Sequence, residues 1–221
     1  MLTRRNLHGV TDMLPPTNNR VSIAILAKAP IPGYAKTRLI SVIGAHAAAI
    51  LQERLTERTV ATALSADVGP VTVWCAPDST HSAFLKLVSR SRITLRPQPE
   101  GDLGKRMLVA TAAHNGPVLV IGTDCPAMTD VHLRGAADAL REGTDVILIP
   151  AEDGGYVLIG TRSVQPSLFT DIAWGKNSVL AETRGRVIAH RLVLTERPPL
   201  WDVDAEDDLA RLEREYPELL W

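Results

Sequence analysis

Residues 21–39 read VSIAILAKAPIPGYAKTRL and join a short apolar run to a loop rich in proline and basic residues. The run at residues 21–27 is apolar except for Ser22, which is typical of a strand buried on both faces of a parallel sheet. Pro30, Pro32 and Gly33 then favour a fixed turn-rich loop. The stretch therefore predicts the first strand of an α/β sheet, followed by a loop at its carboxyl end.

Strand-like and helix-like segments alternate through the rest of the chain. A second continuously apolar strand is predicted at residues 117–122. The two strands predicted at 145–150 and 156–160 are too close for a helical crossover, which indicates an antiparallel pair. A late strand is predicted at 187–194. The pattern predicts one α/β domain over residues 21–221, with a mostly parallel central sheet flanked by helices and a small antiparallel insertion.

Composition and charge exclude several classes of protein. The chain has 221 residues and a formal net charge of -1, so it lacks the overall basic field that a nucleic-acid backbone requires. Two cysteines are too few for a disulfide framework, which favours a cytoplasmic location. No apolar run approaches the roughly 18 residues of a membrane helix, so no membrane partner is expected. The oligomeric state stays open, a homodimer included.

The first 20 residues differ from the rest. They contain Pro15, Pro16, Asn18 and Asn19 and no apolar stretch after the early arginines, so they do not resemble a secretory signal. We expect residues 1–20 to form a flexible leader.

The loop after the first strand is the strongest candidate for ligand binding. In open α/β sheets, ligands bind beyond the carboxyl ends of the strands. The loop begins at Ala27 and carries Lys28, Lys36 and Arg38, three cations that could hold phosphate oxygens, while backbone N–H groups near Gly33 could face an anion. A solvated basic loop is the alternative interpretation.

Asp124 follows the second strongly apolar strand. A carboxylate at that position needs solvent or a partner, and a divalent cation bound to substrate phosphates is one such partner. The alternative is a cap for the following helix, but Thr129 and Asp130 are better placed for capping. The position favours a metal-binding role for Asp124.

Two further acidic segments follow predicted strands. Asp153 precedes Gly154 and Gly155, which either permit close approach of a ligand to the backbone or form an ordinary hairpin turn. Asp202 and Asp204 alternate on an extended segment and so share a side. With an aspartate three residues later, Asp204 also resembles a cap for the last helix, whereas Asp202 has no such local explanation.

A fifth segment opens the helix predicted after residue 102. Gly101, Asp102 and Gly104 could contact a base or ribose. They could equally form a turn, with Asp102 as the N-cap of the helix.

Several of these segments together resemble a known family. AKAPIPGYAKTRL, GDLGKRM, IGTDCP, PAEDGGYVLIG and DVDAEDDL occur in that order. They resemble the DUF2064 family of bacterial transferases, also called radical-SAM/selenodomain-associated transferase 1 or arsenosugar-biosynthesis glycosyltransferases. The resemblance covers about residues 21–212. It implies a GT-A fold, the fold of the nucleotide-diphospho-sugar transferases.

The resemblance also implies roles for individual residues. Lys28, Gly33, Lys36 and Arg38 match the loop that cradles nucleotide phosphates, and Asp124 matches the aspartate that binds Mg²⁺ or Mn²⁺. Asp153 and Asp204 match less specifically, as further carboxylates near the metal; Asp204 is a candidate ligand, and Asp153 and Lys36 are candidate catalytic residues. One stretch departs from the family, because Trp174 is followed by Gly-Lys where relatives usually carry Ser-Thr.

Three functions fit these expectations. The first is glycosyl transfer from a nucleotide sugar to a small acceptor, with Asp153 as the candidate base for the acceptor hydroxyl. The second is nucleotidyl transfer from a nucleoside triphosphate with release of pyrophosphate. The third is a non-catalytic nucleotide-binding module, since fold alone does not determine function.

Overall fold

A seven-stranded sheet forms the centre of the protein in a computed structural model that describes residues 20–220. The strand order is β3-β2-β1-β4-β6-β5-β7, and within the described residues β6 alone runs antiparallel to its neighbours. The predicted mostly parallel sheet with a small antiparallel insertion is confirmed. The strands are β1 (Ser22–Lys28), β2 (Val71–Ala76), β3 (Ile93–Pro97), β4 (Val118–Ile121), β5 (Val146–Pro150), β6 (Tyr156–Thr161) and β7 (Leu194–Glu196).

Helices cover both faces of this sheet. The helices are α1 (Ile40–Ala66), α2 (Ser82–Arg90), α3 (Leu103–Ala112), α4 (Asp130–Arg141), α5 (Val179–Ala189) and α6 (Glu206–Glu215). On one face, α1, α2 and α4 contribute Val60, Phe84 and Leu133 to a buried core against the sheet. On the other face, α3 and α5 pack through Met107 and Val187.

Alternate residues of β1 show why a continuously apolar run is needed here. Ile23 and Ile25 face the layer of α1 and α4, whereas Ala24 belongs to the core under α3 and α5. All three are completely buried. A strand in the middle of a parallel sheet has no solvated face, so an alternating polar pattern would place polar groups in one of the two cores.

The topology brings distant segments to one edge. Because every described strand except β6 points the same way, the loops after β1, β4, β5 and β7 lie at the carboxyl edge of the sheet. The backbone N–H of Val203 donates to the carbonyl of Asp124 at 2.8 Å and fixes the segment after β7 beside the one after β4.

The prediction of a late strand at residues 187–194 is wrong. Helix α5 continues to Ala189, and the strand begins only at Leu194. Val187 is buried and Ile188 is 73% exposed, so the apolar pair spans the inner and outer sides of a helix rather than two faces of a strand. The end of α5 resembles a strand in sequence because its apolar residues are not confined to one face of the helix.

Residues 1–19, most of the predicted leader, lie outside the described residues. Between residues 20 and 220, none of the helices combines the length and the apolar character needed to cross a bilayer.

Candidate functional site

A cleft of about 590 Å³ opens at the carboxyl edge of the sheet. This volume is within the range of small-molecule sites. Its lining includes many of the residues predicted from sequence to bind nucleotide or metal: Ala27, Lys28, Lys36, Arg38, Asp124 and Asp204. The other predicted site residues are not part of this lining: Gly33, Gly101, Asp102, Gly104, Asp153, Gly154 and Gly155.

Lys36 and Asp124 meet inside the cleft. The ammonium Nζ of Lys36 lies 2.6 Å from Oδ1 of Asp124 and also donates to the backbone carbonyl of Val203 at 2.5 Å. The Lys36 side chain is only 4% exposed, whereas that of Asp124 is 41% exposed. The ion pair therefore has a buried ammonium and a partly exposed carboxylate that lines the cleft.

The local backbone explains how Lys36 reaches this position. Lys36 has a left-handed conformation with φ 49° and ψ 42°, directly before a 3-10 turn at Thr37–Leu39. Left-handed backbone is unusual for lysine and indicates that the surrounding contacts hold it in place. Gly33 (φ 84°) lies at the turn before it, in open space, and supplies a conformation that other residues rarely adopt.

Hydrogen bonds among buried side chains connect α1 to Asp124. Gln52 lies in the middle of α1 and is 2% exposed; its amide donates to the Thr123 hydroxyl at 2.9 Å. Thr123 in turn lies 3.4 Å from Oδ1 of Asp124. Gln52 was not predicted from sequence. An amide on the apolar face of a predicted helix is nevertheless a signal, because a buried amide needs hydrogen-bond partners.

Arg38 links the first loop to the segment after β7. Its guanidinium donates to the Asp204 carboxylate at 2.9 Å, and both side chains are substantially exposed. Lys28 is exposed and lines the same cleft. The three predicted cations of the first loop therefore lie around one space.

Four carboxylates influence one another at this edge. Burial, followed by the negative charges of Asp153, Asp204 and Asp124, raises the pKa of Asp202 to about 7, with partial opposition from Lys36. Asp202 lines the cleft, and sequence reasoning noted it without including it among the site residues. The sequence indicates only that Asp202 shares a side with Asp204 and has no capping role; the sheet topology is what brings it beside Asp124 and Asp153.

Asp204 is not the cap of the last helix. The carboxylate of Asp208 accepts from the backbone N–H groups of Asp204 and Ala205, so Asp208 performs the capping role. Burial and the charge of Asp124 raise the pKa of Asp204, against the effects of Lys36 and Arg38. The Asp204 side chain is thus available to the cleft.

Asp153 lies in the turn between β5 and β6. Its carboxylate accepts from the N–H of Gly155 at 2.9 Å, which is an Asx-type turn. Gly154 has φ 92°, and a Cβ there would lie 2.4 Å from the carbonyl of Asn177. The conformation of this turn thus accounts for Gly154, and the N–H of Gly155 takes part in it. The negative charge of Asp153 contributes to the raised pKa of Asp202. Its proposed catalytic role stays a prediction.

The segment before α3 is built mainly for structure. Asp102 is the N-cap of α3, and its carboxylate accepts from the N–H of Lys105 at 2.8 Å. A Cβ at Gly104 would lie 2.0 Å from the carbonyl of Phe169 and 2.5 Å from Nε1 of Trp174. Gly101 has φ 122° in the preceding turn. Nucleotide contacts by these three residues stay predictions.

Other residues of the cleft were not predicted from sequence. The Gln98 amide donates to the carbonyls of Ala27 and Trp74 at 3.1 and 2.8 Å and so joins the ends of β1 and β2. Arg106 approaches Gln98 at 3.4 Å from α3. Burial raises the pKa of the Cys125 thiol to about 12, so this cysteine is a protonated, neutral wall of the cleft at physiological pH.

The carboxylates of the cleft suit a divalent cation that is bound only partly by the protein. Within residues 20–220, no three His, Cys, Asp or Glu side chains are arranged to bind a metal ion together. However, the carboxylates of Asp124, Asp202 and Asp204 all line this cleft, and burial together with neighbouring negative charge raises the pKa of Asp202. The site therefore fits a hard cation that takes one or two protein carboxylates and completes its coordination with substrate oxygens, as Mg²⁺ often does.

Solved structures share this fold. A structure from Desulfovibrio desulfuricans G20, of proposed nucleotide-diphospho-sugar transferase activity, is 27% identical, with 89% of this chain and 88% of that chain covered and a TM-score of 0.78. A nucleotidyl transferase from Methanothermobacter is 16% identical over 90% and 98% of the two chains, with a TM-score of 0.61. The manganese complex of Rv0371c from Mycobacterium tuberculosis H37Rv is 15% identical over 88% and 99%, with a TM-score of 0.53.

The family of the chain follows from its sequence match. None of the curated proteins compared with it is significantly similar. Residues 59–176 match the family described as "Uncharacterized protein conserved in bacteria (DUF2064)". Because this match covers more than half of the chain, and the fold agrees with that of nucleotide-diphospho-sugar transferases, the protein belongs to the DUF2064 family.

Proposed function

We propose that the protein is a metal-dependent transferase that uses a nucleotide-activated substrate, and that it transfers a glycosyl group from a nucleotide-diphospho-sugar to a small acceptor. One observation carries the proposal: Lys36 and Asp124 meet at 2.6 Å in a cleft that Lys28, Arg38 and Asp204 also line. Cations and carboxylates around one space suit a phosphorylated ligand that arrives with a divalent metal.

The cations of the first loop would hold the diphosphate. Arg38 has a planar guanidinium that can take two phosphate oxygens, whereas Lys28 and Lys36 act as point charges. Their positive charge opposes the negative charge that develops on the departing nucleoside diphosphate. Stabilising the leaving group in this way accelerates the break between the sugar and the diphosphate.

The carboxylates would serve the metal and the acceptor. Asp124 and Asp204 would hold Mg²⁺ or Mn²⁺, which supplies Lewis-acid stabilisation of the phosphate oxygens when bound. Asp153 is the candidate that takes the proton of the acceptor hydroxyl as that oxygen bonds to the anomeric carbon. The nucleoside diphosphate then leaves with the bonding electrons.

Nucleotidyl transfer is the second candidate. Three cations in one loop suit a triphosphate, which carries more charge than a sugar diphosphate. In this reaction an oxygen of the substrate attacks the α-phosphorus and pyrophosphate leaves. Low-identity neighbours of the same fold include a nucleotidyl transferase, which supports the fold for either reaction.

A product assay separates the two reactions. The protein is first screened by thermal shift against nucleotides and nucleotide sugars with Mg²⁺ or Mn²⁺, since a true ligand raises the apparent stability. Stabilising compounds are then incubated with hydroxyl and phosphate acceptors. Release of nucleoside diphosphate supports glycosyl transfer, and release of pyrophosphate supports nucleotidyl transfer.

Controls distinguish the cleft from contaminating activity. Asp124→Asn should abolish product release while the protein remains folded by circular dichroism. Arg214→Gln removes an exposed cation whose partner is Glu215, on α6 and outside the cleft lining, and should leave product release unchanged. A panel in which no nucleotide or nucleotide sugar shifts the melt under any metal condition contradicts the proposed function.

A further inference from the structure

Lys36 occupies the position that a metal at Asp124 would have to share. Its Nζ lies 2.6 Å from Oδ1 of Asp124, and its second contact is the carbonyl of Val203 at 2.5 Å. With 4% of the side chain exposed, the ammonium has little water to replace these partners. Lys36 thus depends on the Asp124 carboxylate for its charge balance.

The carbonyl of Val203 cannot take over this role. It is neutral, and its own segment is fixed by the hydrogen bond from the Val203 N–H to the Asp124 carbonyl. A buried ammonium without a carboxylate is costly. The left-handed backbone of Lys36 also fixes the direction in which its side chain leaves the loop.

A dication and the ammonium would repel each other at this carboxylate. Both would lie within a few ångströms of the same oxygen atoms, in a partly buried place where water screens charge poorly. The carboxylates of Asp202 and Asp204, which line the same cleft as Asp124, attract the dication. Of the residues that contact Asp124 through hydrogen bonds or an ion pair in residues 20–220, Lys36 is the one that carries positive charge.

We propose that the Lys36 ammonium is a built-in competitor of the metal: it holds Asp124 until the phosphates of a substrate draw it away, so that metal ion and phosphate bind together and the metal alone binds weakly. This inference rests on the proposed function for the identity of the ligands. It adds an order to their binding that the proposed reaction does not require.

The exchange is balanced in charge. In the absence of ligand, one ammonium faces one carboxylate. When a diphosphate and a dication enter, Lys36 can turn to a phosphate oxygen while the dication takes the carboxylate, so each charge keeps an opposite partner. By thermodynamic linkage, the phosphate must raise the affinity for the metal by the same factor as the metal raises that for the phosphate.

Titration with Mn²⁺ alone tests the competition without any substrate. The free Mn²⁺ signal in electron paramagnetic resonance is followed as wild type, Lys36→Gln and Lys28→Gln are added. Lys36→Gln removes the charge but keeps an N–H donor for Val203. Lys28→Gln is the matched control, because it removes a cation of the same cleft for which no contact with Asp124 is found.

We expect Lys36→Gln to bind Mn²⁺ at least about tenfold more tightly than wild type, within the usual range of coupling between sites. Lys28→Gln should gain much less, and the gain of Lys36→Gln should disappear in the double variant Lys36→Gln/Asp124→Asn. If Lys36→Gln does not fold, Lys36→Met serves in its place, with the same expected gain.

Two results overturn the inference: a variant that binds Mn²⁺ no more tightly than wild type, or a gain that survives in the Asp124→Asn background. These outcomes are independent of the proposed function. Transfer activity can be absent while the competition is present, and the competition can be absent in a protein that releases nucleoside diphosphate.

Discussion

The guanidinium of Arg38 donates a 2.9 Å hydrogen bond to the carboxylate of Asp204, 166 residues further along the chain. The contact joins the loop after β1 to the segment after β7. Arg38 is 68% exposed and Asp204 43% exposed at the side chain, so water can replace either partner. Such a pair orients two groups over the cleft without contributing much to the stability of the fold.

The first prediction concerns Arg38→Gln. The free energy of unfolding should change by less than about 1 kcal/mol, because the pair is exposed. Affinity for the nucleotide that stabilises the protein best should fall roughly 10- to 150-fold, since charge-assisted hydrogen bonds to phosphate contribute roughly 1.5–3 kcal/mol. Urea unfolding and calorimetric titration measure the two quantities. An equal loss of affinity in Arg214→Gln would show that only net charge matters.

The second prediction concerns the ion pair of Lys36 and Asp124. Asp124→Asn should lower the free energy of unfolding by about 1–3 kcal/mol, because it leaves a buried ammonium with a neutral partner. In the double variant Lys36→Met/Asp124→Asn, the loss should be smaller than the sum of the single losses. A double-mutant cycle by urea unfolding measures this coupling. Strictly additive losses would contradict a direct interaction.

The third prediction concerns pH. The folded pKa of Asp202, about 7, lies above its ordinary value of 3.8. The folded protein therefore holds a proton that the unfolded chain has lost between these values, and stability should fall as pH rises from about 4 to 7. Asp202→Asn should remove this part of the fall and be more stable than wild type at pH 8, by on the order of 1–2 kcal/mol after allowance for screening.

Urea unfolding of both proteins at pH 5 and pH 8 provides the measurement. Groups distant from the cleft titrate equally in the two proteins, so the comparison reports on Asp202 and the carboxylates that interact with it. A difference between Asp202→Asn and wild type that is the same at both pH values would contradict the assigned electrostatic surroundings.

The fourth prediction concerns Gly104→Ala. The added methyl group would meet the carbonyl of Phe169 at 2.0 Å and Nε1 of Trp174 at 2.5 Å, so the variant should lose about 1–3 kcal/mol of unfolding free energy. Gly185→Ala is the matched control in α5, where a Cβ meets nothing within 4 Å. It should gain roughly 0.5–1 kcal/mol from helix propensity. Loss of stability in both variants would contradict the close packing inferred at Gly104.

The sheet could be predicted from sequence because its central strands are recognisable as apolar runs. Residues 21–27 are apolar except for Ser22, residues 117–122 are apolar throughout, and the two runs contain most of β1 and all of β4 at the middle of the sheet. Strand β7 could not be found in the same way. It has three residues and pairs within the described part of the chain with β5, so its position depends on a neighbour that lies 48 or more residues earlier rather than on its own pattern.

The candidate site could be predicted in part for a similar reason. Lys36 and Asp124 follow apolar strands, and that placement is visible in the sequence. Their direct contact is not visible, since it depends on the left-handed backbone at Lys36 and on the register of β1 with β4. The local pattern around Asp204 was ambiguous, because Asp204 and Asp207 have the spacing of a helix cap. In the structure the cap lies one residue later, at Ala205, and the carboxylate of Asp208 accepts from its N–H.

The backbone bond from Val203 to Asp124 has a consequence for how the protein is made. The loop that carries Lys36 leaves the ribosome more than 160 residues before Val203, whose carbonyl accepts from that lysine. Until residues 202–204 emerge, the early lysine lacks this partner and the cleft lacks the side that Asp202 and Asp204 line. In a nascent chain, the cleft is therefore completed only after these late residues have left the ribosome, even if most of the sheet has already formed.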